Sequence, residues 1–259
     1  LAGGSRVALE RHRSLRATID WSYALLSAQE RTLLQRLSVF AGGWTLQAAE
    51  EVCAGQGIET DEALDLLTSL VNKSMVLAER PPGQEQRYRM LEAVRQYAVE
   101  ELVKAGESER LRDRHLGYHL QLAEAIEPKL RSPEQATLLR RLGIELPNLR
   151  LALEWALQTD VEAGLRLASA TMWLWHIHNQ WGEGIAWLEG GLERQAFQKL
   201  DPSAKDQPIQ SATLRAKAFS AAGFLLVFQN QGDKALAHLQ ESLALYEQLN
   251  LENRQGVAF

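Results

Sequence analysis

An internal repeat constrains this chain more than any other feature. Residues 166–180 can be laid on residues 217–231 without a gap, an offset of 51 residues running from Arg166 to Lys217. The correspondence crosses the following turn, because Leu188 falls on Leu239 and Leu192 on Leu243 at the same offset. Both halves of a helical hairpin therefore recur. Neither amphipathic pair can bury its apolar stripe alone, so repetition of this kind implies that neighbouring units stack. Asp201, Pro202 and Pro208 stand between the copies and read as an extended connection. The expected fold is mainly α, ending in a right-handed array of helical repeats.

The first hundred residues read differently. Leu15, Ile19, Ser22 and Leu26 write one helical stripe, with Ser14 available as its N-cap. Ser27-Ala28-Gln29-Glu30 has the spacing of a capping box ahead of Leu33, Leu34, Leu37 and Phe40. Gly42-Gly43 breaks that helix, Thr45 caps a third through about Val52, and a fourth carries Leu64, Leu67, Leu70 and Val71. The period then changes from helical to alternating at Met75-Val76-Leu77-Ala78-Glu79. After a Pro81-Pro82-Gly83 break, Tyr88 and Met90 alternate with Arg87 and Arg89. This predicts a β-hairpin, and a helical stripe resumes through Leu91, Val94, Ala98 and Leu102 to Gly106, a natural residue for closing a helix. Several helices followed by a two-stranded wing is the winged-helix order. From Ser108 onward only helices are expected. One stripe runs through Leu111, His115, Tyr118, Leu122 and Ile126, a shorter helix starts at Ser132-Pro133 and Gln135, and another opens at Pro147 with Leu149, Leu153 and Trp155.

Bulk properties exclude several classes of function. Among 259 residues there is one cysteine, Cys53, so neither an internal disulfide nor a thiolate metal cage is possible within the chain, which suits a reducing, cytoplasmic setting. No apolar run approaches the ~20 residues of a membrane span, so no membrane partner is expected. The formal net charge of −5 opposes wholesale nucleic-acid binding. From Ser14 to Leu91 there are seven basic and ten acidic residues, and the helix before the wing brings Asp61, Glu62 and Asp65 against Lys73. DNA is therefore disfavoured as a partner for this winged helix on charge alone. His115 and His119 lie one helical turn apart but lack a third ligand at helical spacing, His176 and His178 are placed less well, and no metal site is expected. No phosphate loop of the G-x-x-x-x-G-K-[ST] form occurs, so the chain is expected to be no enzyme and to hold no cofactor. The chain opens at Leu1 without methionine and stops at Phe259 in what reads as a helix start, so both ends are expected to be cuts.

The second repeat copy resembles a tetratricopeptide repeat. Gly223 takes the small position where two helices approach closely, Phe219 and Leu226 flank it, and Ala235 is the second small position 12 residues on. Leu239 and Ser242 fall where an aromatic and a small residue usually stand. The terminal proline is absent, and the next large residue would be Phe259, 40 residues after Phe219 rather than the roughly 34 of the family. Further blocks resemble the segment after the nucleotide-binding core of signal-transduction ATPases of the NB-ARC (STAND) type, many of them bacterial transcriptional regulators. These blocks are Gly3-Gly4-Ser5-Arg6, Arg11-His12, residues 14–23, residues 37–44 and Asn148 to Ala156. The resemblance implies an order of domains: 1–13 as the end of a nucleotide-binding module or a linker, 14–106 as the winged helix, 107–200 as a helical linker with a first degenerate repeat, and 201–259 as a tetratricopeptide-type repeat. It also implies a sensor position. Family members open the helix after the wing with Met-His-Asp, whose histidine senses the diphosphate of ADP; here Met90-Leu91-Glu92 stands there, and leucine cannot donate that hydrogen bond. The other reading of Met90 and Leu91 is plain core where wing meets helix. ATP or ADP is expected only for the intact parent, whose nucleotide-binding domain would be a partner in cis.

Partner binding is expected on the repeat surface, at Trp173, Trp175, His176, Trp181, Phe228 and Asn230. At helical spacing most of the tryptophans, Trp187 included, also suit packing between repeat helices. Arg110, Arg112 and Arg114 read as a solvated face. The sequence thus favours a non-catalytic binding and coupling segment of a signalling ATPase engaged in transcriptional regulation. The alternative is a free-standing transcription factor that binds DNA through its winged helix.

Overall fold

A computed structural model of the chain describes residues 3–80, 85–198 and 208–249. It forms two compact units, 1–118 and 119–259. The Pro81-Pro82-Gly83 break and Phe259 lie outside the described residues.

The first unit starts with α1, Gly3–Ala24, followed by α2, Ala28–Leu37. Because α1 runs unbroken from Gly3, Ser14 lies inside the helix instead of capping it. The Ser27 to Glu30 capping box forms as read: Glu30 N–H donates to Ser27 Oγ, and Ser27 N–H donates to Glu30 Oε2. A short strand β1, Trp44–Thr45, precedes α3, Leu46–Cys53, whose N-cap is Thr45 accepting from the Ala48 amide. Helix α4, Ala63–Asn72, leads into β2, Leu77–Glu79, and β3, Arg87–Arg89. The wing pairs antiparallel with Ala78 opposite Tyr88, and β1 adds a third strand on the other side of β3, with Trp44 opposite Tyr88. Two residues carry too little alternation to be read as a strand, so only the hairpin is predictable. Helix α5, Glu92–Lys104, follows the wing, and α1 packs on it through the bidentate Arg16–Glu100 pair. The core joins Leu33, Leu34 and Leu37 of α2 to Val52, Leu67, Leu70, Val94 and Ala98. Leu15, Leu64 and Leu91, read as inward, are exposed.

Helix α6, Ser108–Ile126, contains the boundary between the units. The second unit is helical throughout its described residues. A 3-10 turn over Glu127–Arg131 precedes α7, Gln135–Ile144, and α8, Leu146–Thr159. Next come α9, Val161–Ala170, α10, Met172–Ile177, α11, Trp181–Gln198, α12, Pro208–Phe228, and α13, Gly232–Gln248.

The 51-residue repeat is written into the backbone. Asn179 and Asn230 both close a helix in the left-handed region, at φ 55° and 58°. Behind them Gln180 N–H donates to Trp175 O, and Gln231 N–H to Leu226 O, the same bond one repeat later. Gly184 and Ala235, again 51 apart, are small because the helices approach there: a Cβ on Gly184 would sit 2.8 Å from Leu225 Cδ1 and from Trp175 Cγ. Helix α12 packs on α9, α11 and α13. Its Ser211–Phe228 stretch is by length and composition apolar enough to cross a bilayer, which corrects the reading that no such run exists. Half of that stretch is buried inside the unit, as befits a core helix.

Candidate functional site

In the winged helix, sequence fixes which side chains face outward. Along α4 the buried positions are Ala63, Leu67 and Leu70, so the opposite stripe is Leu64, Asp65, Thr68 and Asn72, with exposed Asp61 in the turn just before it. That stripe is what a recognition helix would offer to a major groove, and with Asp61 it carries two carboxylates and no cation. Lys73, the nearest cation, is turned away: its Nζ lies 2.7 Å from both oxygens of Glu30. Glu30 also accepts from Ser69 Oγ at 2.5 Å. Burial alone would raise this carboxyl, but the Lys73, Ser69 and Ser27 donors hold it down at about 2. One side chain therefore caps α2 and pins α4 to it. The wing instead carries Arg80, Arg87 and Arg89 against Glu79 and Glu85. Arg80 is exposed, Arg89 pairs with Glu79 across the strands at 2.5 Å, and Arg87 donates to Gly43 O.

The segment between α3 and α4 is held from behind by Arg36. Its buried guanidinium donates to the carbonyls of Cys53, Gly55 and Gln56 and makes a bidentate pair with Glu107 at 2.9 and 3.0 Å. Gly55, Gln56 and Gly57 are all left-handed there. Arg114, from the run read as a solvated face, donates to Ala54 O and Glu51 O, and Arg110 pairs with Glu107. Two of those three arginines thus hold helix ends, which i,i+2 spacing does not reveal. Cys53 is fully buried, and burial pushes its thiol up to about 12.

At the sensor position, Met90 is buried in the core, Leu91 is the exposed N-cap residue of α5, and Glu92 is exposed with its carboxylate on Arg95 and Gln96. Arg95 in turn reaches Ser38 O. Met90 is therefore core and Leu91 is not.

In the second unit, the aromatic residues of α10 meet those of α12. Trp173 and His176 pack on Phe224, His176 and Trp181 pack on Phe228, and Phe224 and Phe228 touch edge to face. Trp181 Nε1 donates to His176 O. Trp175 does not belong to any surface: it is completely buried, with Nε1 donating to Thr171 Oγ1, so its reading as a partner anchor is corrected to packing. Asn230 is exposed and serves the backbone as the left-handed closing residue of α12. Ile177, Val227 and Phe228 are the exposed large apolar side chains at this turn. Among the described residues no three His, Cys, Asp or Glu side chains gather as a metal site would require.

This arrangement of helices, third strand and wing is that of a winged helix-turn-helix domain, and residues 26–103 match a family profile of that description. Over 219 residues, 84% of this chain, the sequence is 38% identical to "Putative HTH-type transcriptional regulator Rv0890c" of Mycobacterium tuberculosis and equally to "Putative HTH-type transcriptional regulator Mb0914c" of Mycobacterium bovis. A shorter match, 41% over 116 residues and 44% of this chain, covers 29% of "Uncharacterized protein Rv0894" of M. tuberculosis. The chain is thus homologous to proteins named as HTH-type transcriptional regulators, and it spans about a quarter (24%) of their length. No solved structure matches.

Proposed function

We propose that this chain is a portion of an HTH-type transcriptional regulator and serves gene control through its winged helix, without chemistry of its own. The observation that carries the reading is the winged helix-turn-helix over 26–103 inside a 219-residue homology to regulators so named. This favours the DNA-binding alternative over the reading as a fragment of a signalling ATPase. Because α4 and the turn before it offer carboxylates, phosphate contacts are assigned to the wing, with Arg80 and Arg89 as the cations and Thr68 and Asn72 as polar groups for base edges. The test is duplex-DNA binding by fluorescence anisotropy over a salt series. The proposal expects affinity to fall with salt, and Arg80→Ala to reduce the slope of log K on log salt by about 0.9, one phosphate contact. Binding that is absent at low salt, or indifferent to Arg80, would overturn it.

A second reading is favoured by the carboxylates on α4 and in the turn before it, and by the resemblance to NB-ARC-type proteins. In it the winged helix docks on a nucleotide-binding domain, the α9–α13 hairpins act as tetratricopeptide-type repeats that capture a protein partner around Trp173, Trp181 and Phe228, and Glu92 sits at the hinge. Glu92→Lys would then alter activation of the longer protein while leaving partner capture intact. Activation equal to wild type would argue against this reading.

A further inference from the structure

Helices α11 and α13 are the second helices of the two repeat copies, and the same positions in them meet different surroundings. On α11, Ile185 and Leu192 are 5% and 7% exposed. Glu189, which lies between them on one helical face, receives Lys234 Nζ and pairs with His238 Nε2 at 2.9 Å, both from α13. Elsewhere on α11, Gln195 Nε2 donates to Ser211 Oγ of α12. The Ile185–Leu192 face of α11 is therefore the seat of the next hairpin, α12–α13. Fifty-one residues on, the equivalent positions of α13 are Leu236 and Leu243, and they are 57% and 39% exposed.

We infer that the Leu236–Leu243 face of α13 is the seat of a further helical hairpin of the α12–α13 kind, supplied by the same polypeptide. Two observations fix the occupant. A helical-repeat stack ends in a unit whose outer face is polar, and this face presents leucines where the covered copy has Ile185 and Leu192, so α13 is built as an interior element. The regulators that the chain resembles are about four times as long as the stretch matched, so room for another unit exists in cis. The inference rests on the reading of the chain as a portion of a longer regulator, but it is tested without DNA, so the failure of one is distinguishable from that of the other.

The experiment places a reporter thiol on the face. Cys53 is buried, so Leu236→Cys in this 259-residue chain gives one reactive thiol, whose maleimide labelling is followed with and without a synthetic peptide of residues 208–248. The expected result is a monomer by sedimentation and labelling slowed about tenfold with the peptide at about ten times its dissociation constant. A Leu236→Lys, Leu243→Lys double variant, substituted at two exposed positions, should keep the wild-type circular dichroism and lose peptide binding by anisotropy. Unprotected labelling at saturating peptide overturns the inference, as does peptide binding that survives the double variant. A chain that dimerises and protects the introduced thiol by itself overturns it too, because the occupant would then be a second copy.

Discussion

At the residue scale, Glu30 concentrates the most structure in one side chain. It closes the capping box of α2 and accepts from Ser69 and Lys73 of α4 and its C-terminal end. Its carboxyl sits at about 2 in the folded protein against an ordinary 4.5. A depressed folded value means that the stabilisation is complete above the ordinary value and is lost as pH falls from about 4.5 toward 2. Glu30→Gln should therefore cost about 1–3 kcal/mol at pH 7, since an amide cannot serve three donors as a carboxylate does. The difference should shrink as both proteins are brought to pH 3. Urea midpoints at the two pH values check this, and an unchanged gap would remove Glu30 from the acid response. Only half of this residue's role was legible in sequence. The Ser27–Glu30 spacing announces the cap, whereas Ser69 and Lys73 are 39 and 43 residues away and nothing local predicts that they converge.

At the element scale, the sheet depends on a strand too short to see. Thr45 was readable as a cap for α3, and the same residue pairs with Arg87 as the end of β1. Gly43 makes the approach possible. It is left-handed at φ +97°, and a Cβ there would sit 2.6 Å from the Tyr88 carbonyl oxygen, a backbone atom that cannot step aside. Gly43→Ala should thus destabilise the first unit by about 1–3 kcal/mol, through left-handed strain plus lost pairing of β1 with β3. Because Trp44 is buried and stacked on Phe40, its fluorescence should shift to the red as the strand loosens. Loss of stability with an unmoved tryptophan spectrum would place the damage elsewhere. The helices were more legible than the strands because caps and 3.6-residue stripes are local signals. Leu91 shows the limit of that legibility: it continues an apolar stripe in sequence, yet the helix begins one residue later and leaves it exposed.

At the scale of the whole chain, the repeat gave the architecture of the second half, because identical offsets of Asn179 to Asn230 and Gly184 to Ala235 are geometric requirements of one hairpin built twice. The functional surfaces were less legible. Trp175 and Trp173 sit two residues apart with the same chemistry, and only the packing of α12 decides that the first is core and the second reaches the aromatic cluster. The two units, 1–118 and 119–259, each assemble their own buried set, so each should unfold as its own cooperative block. Leu67, fully buried on α4, and Leu188, fully buried on α11, provide the probes. Truncation of either to alanine costs about 2–5 kcal/mol at a site that cannot collapse fully. Calorimetry of the wild-type chain should resolve two transitions. Leu67→Ala should lower one and Leu188→Ala the other, each leaving its counterpart in place. If both substitutions lower a single shared transition, the units fold as one block, and a change at the repeats would then be felt in the stability of the winged helix.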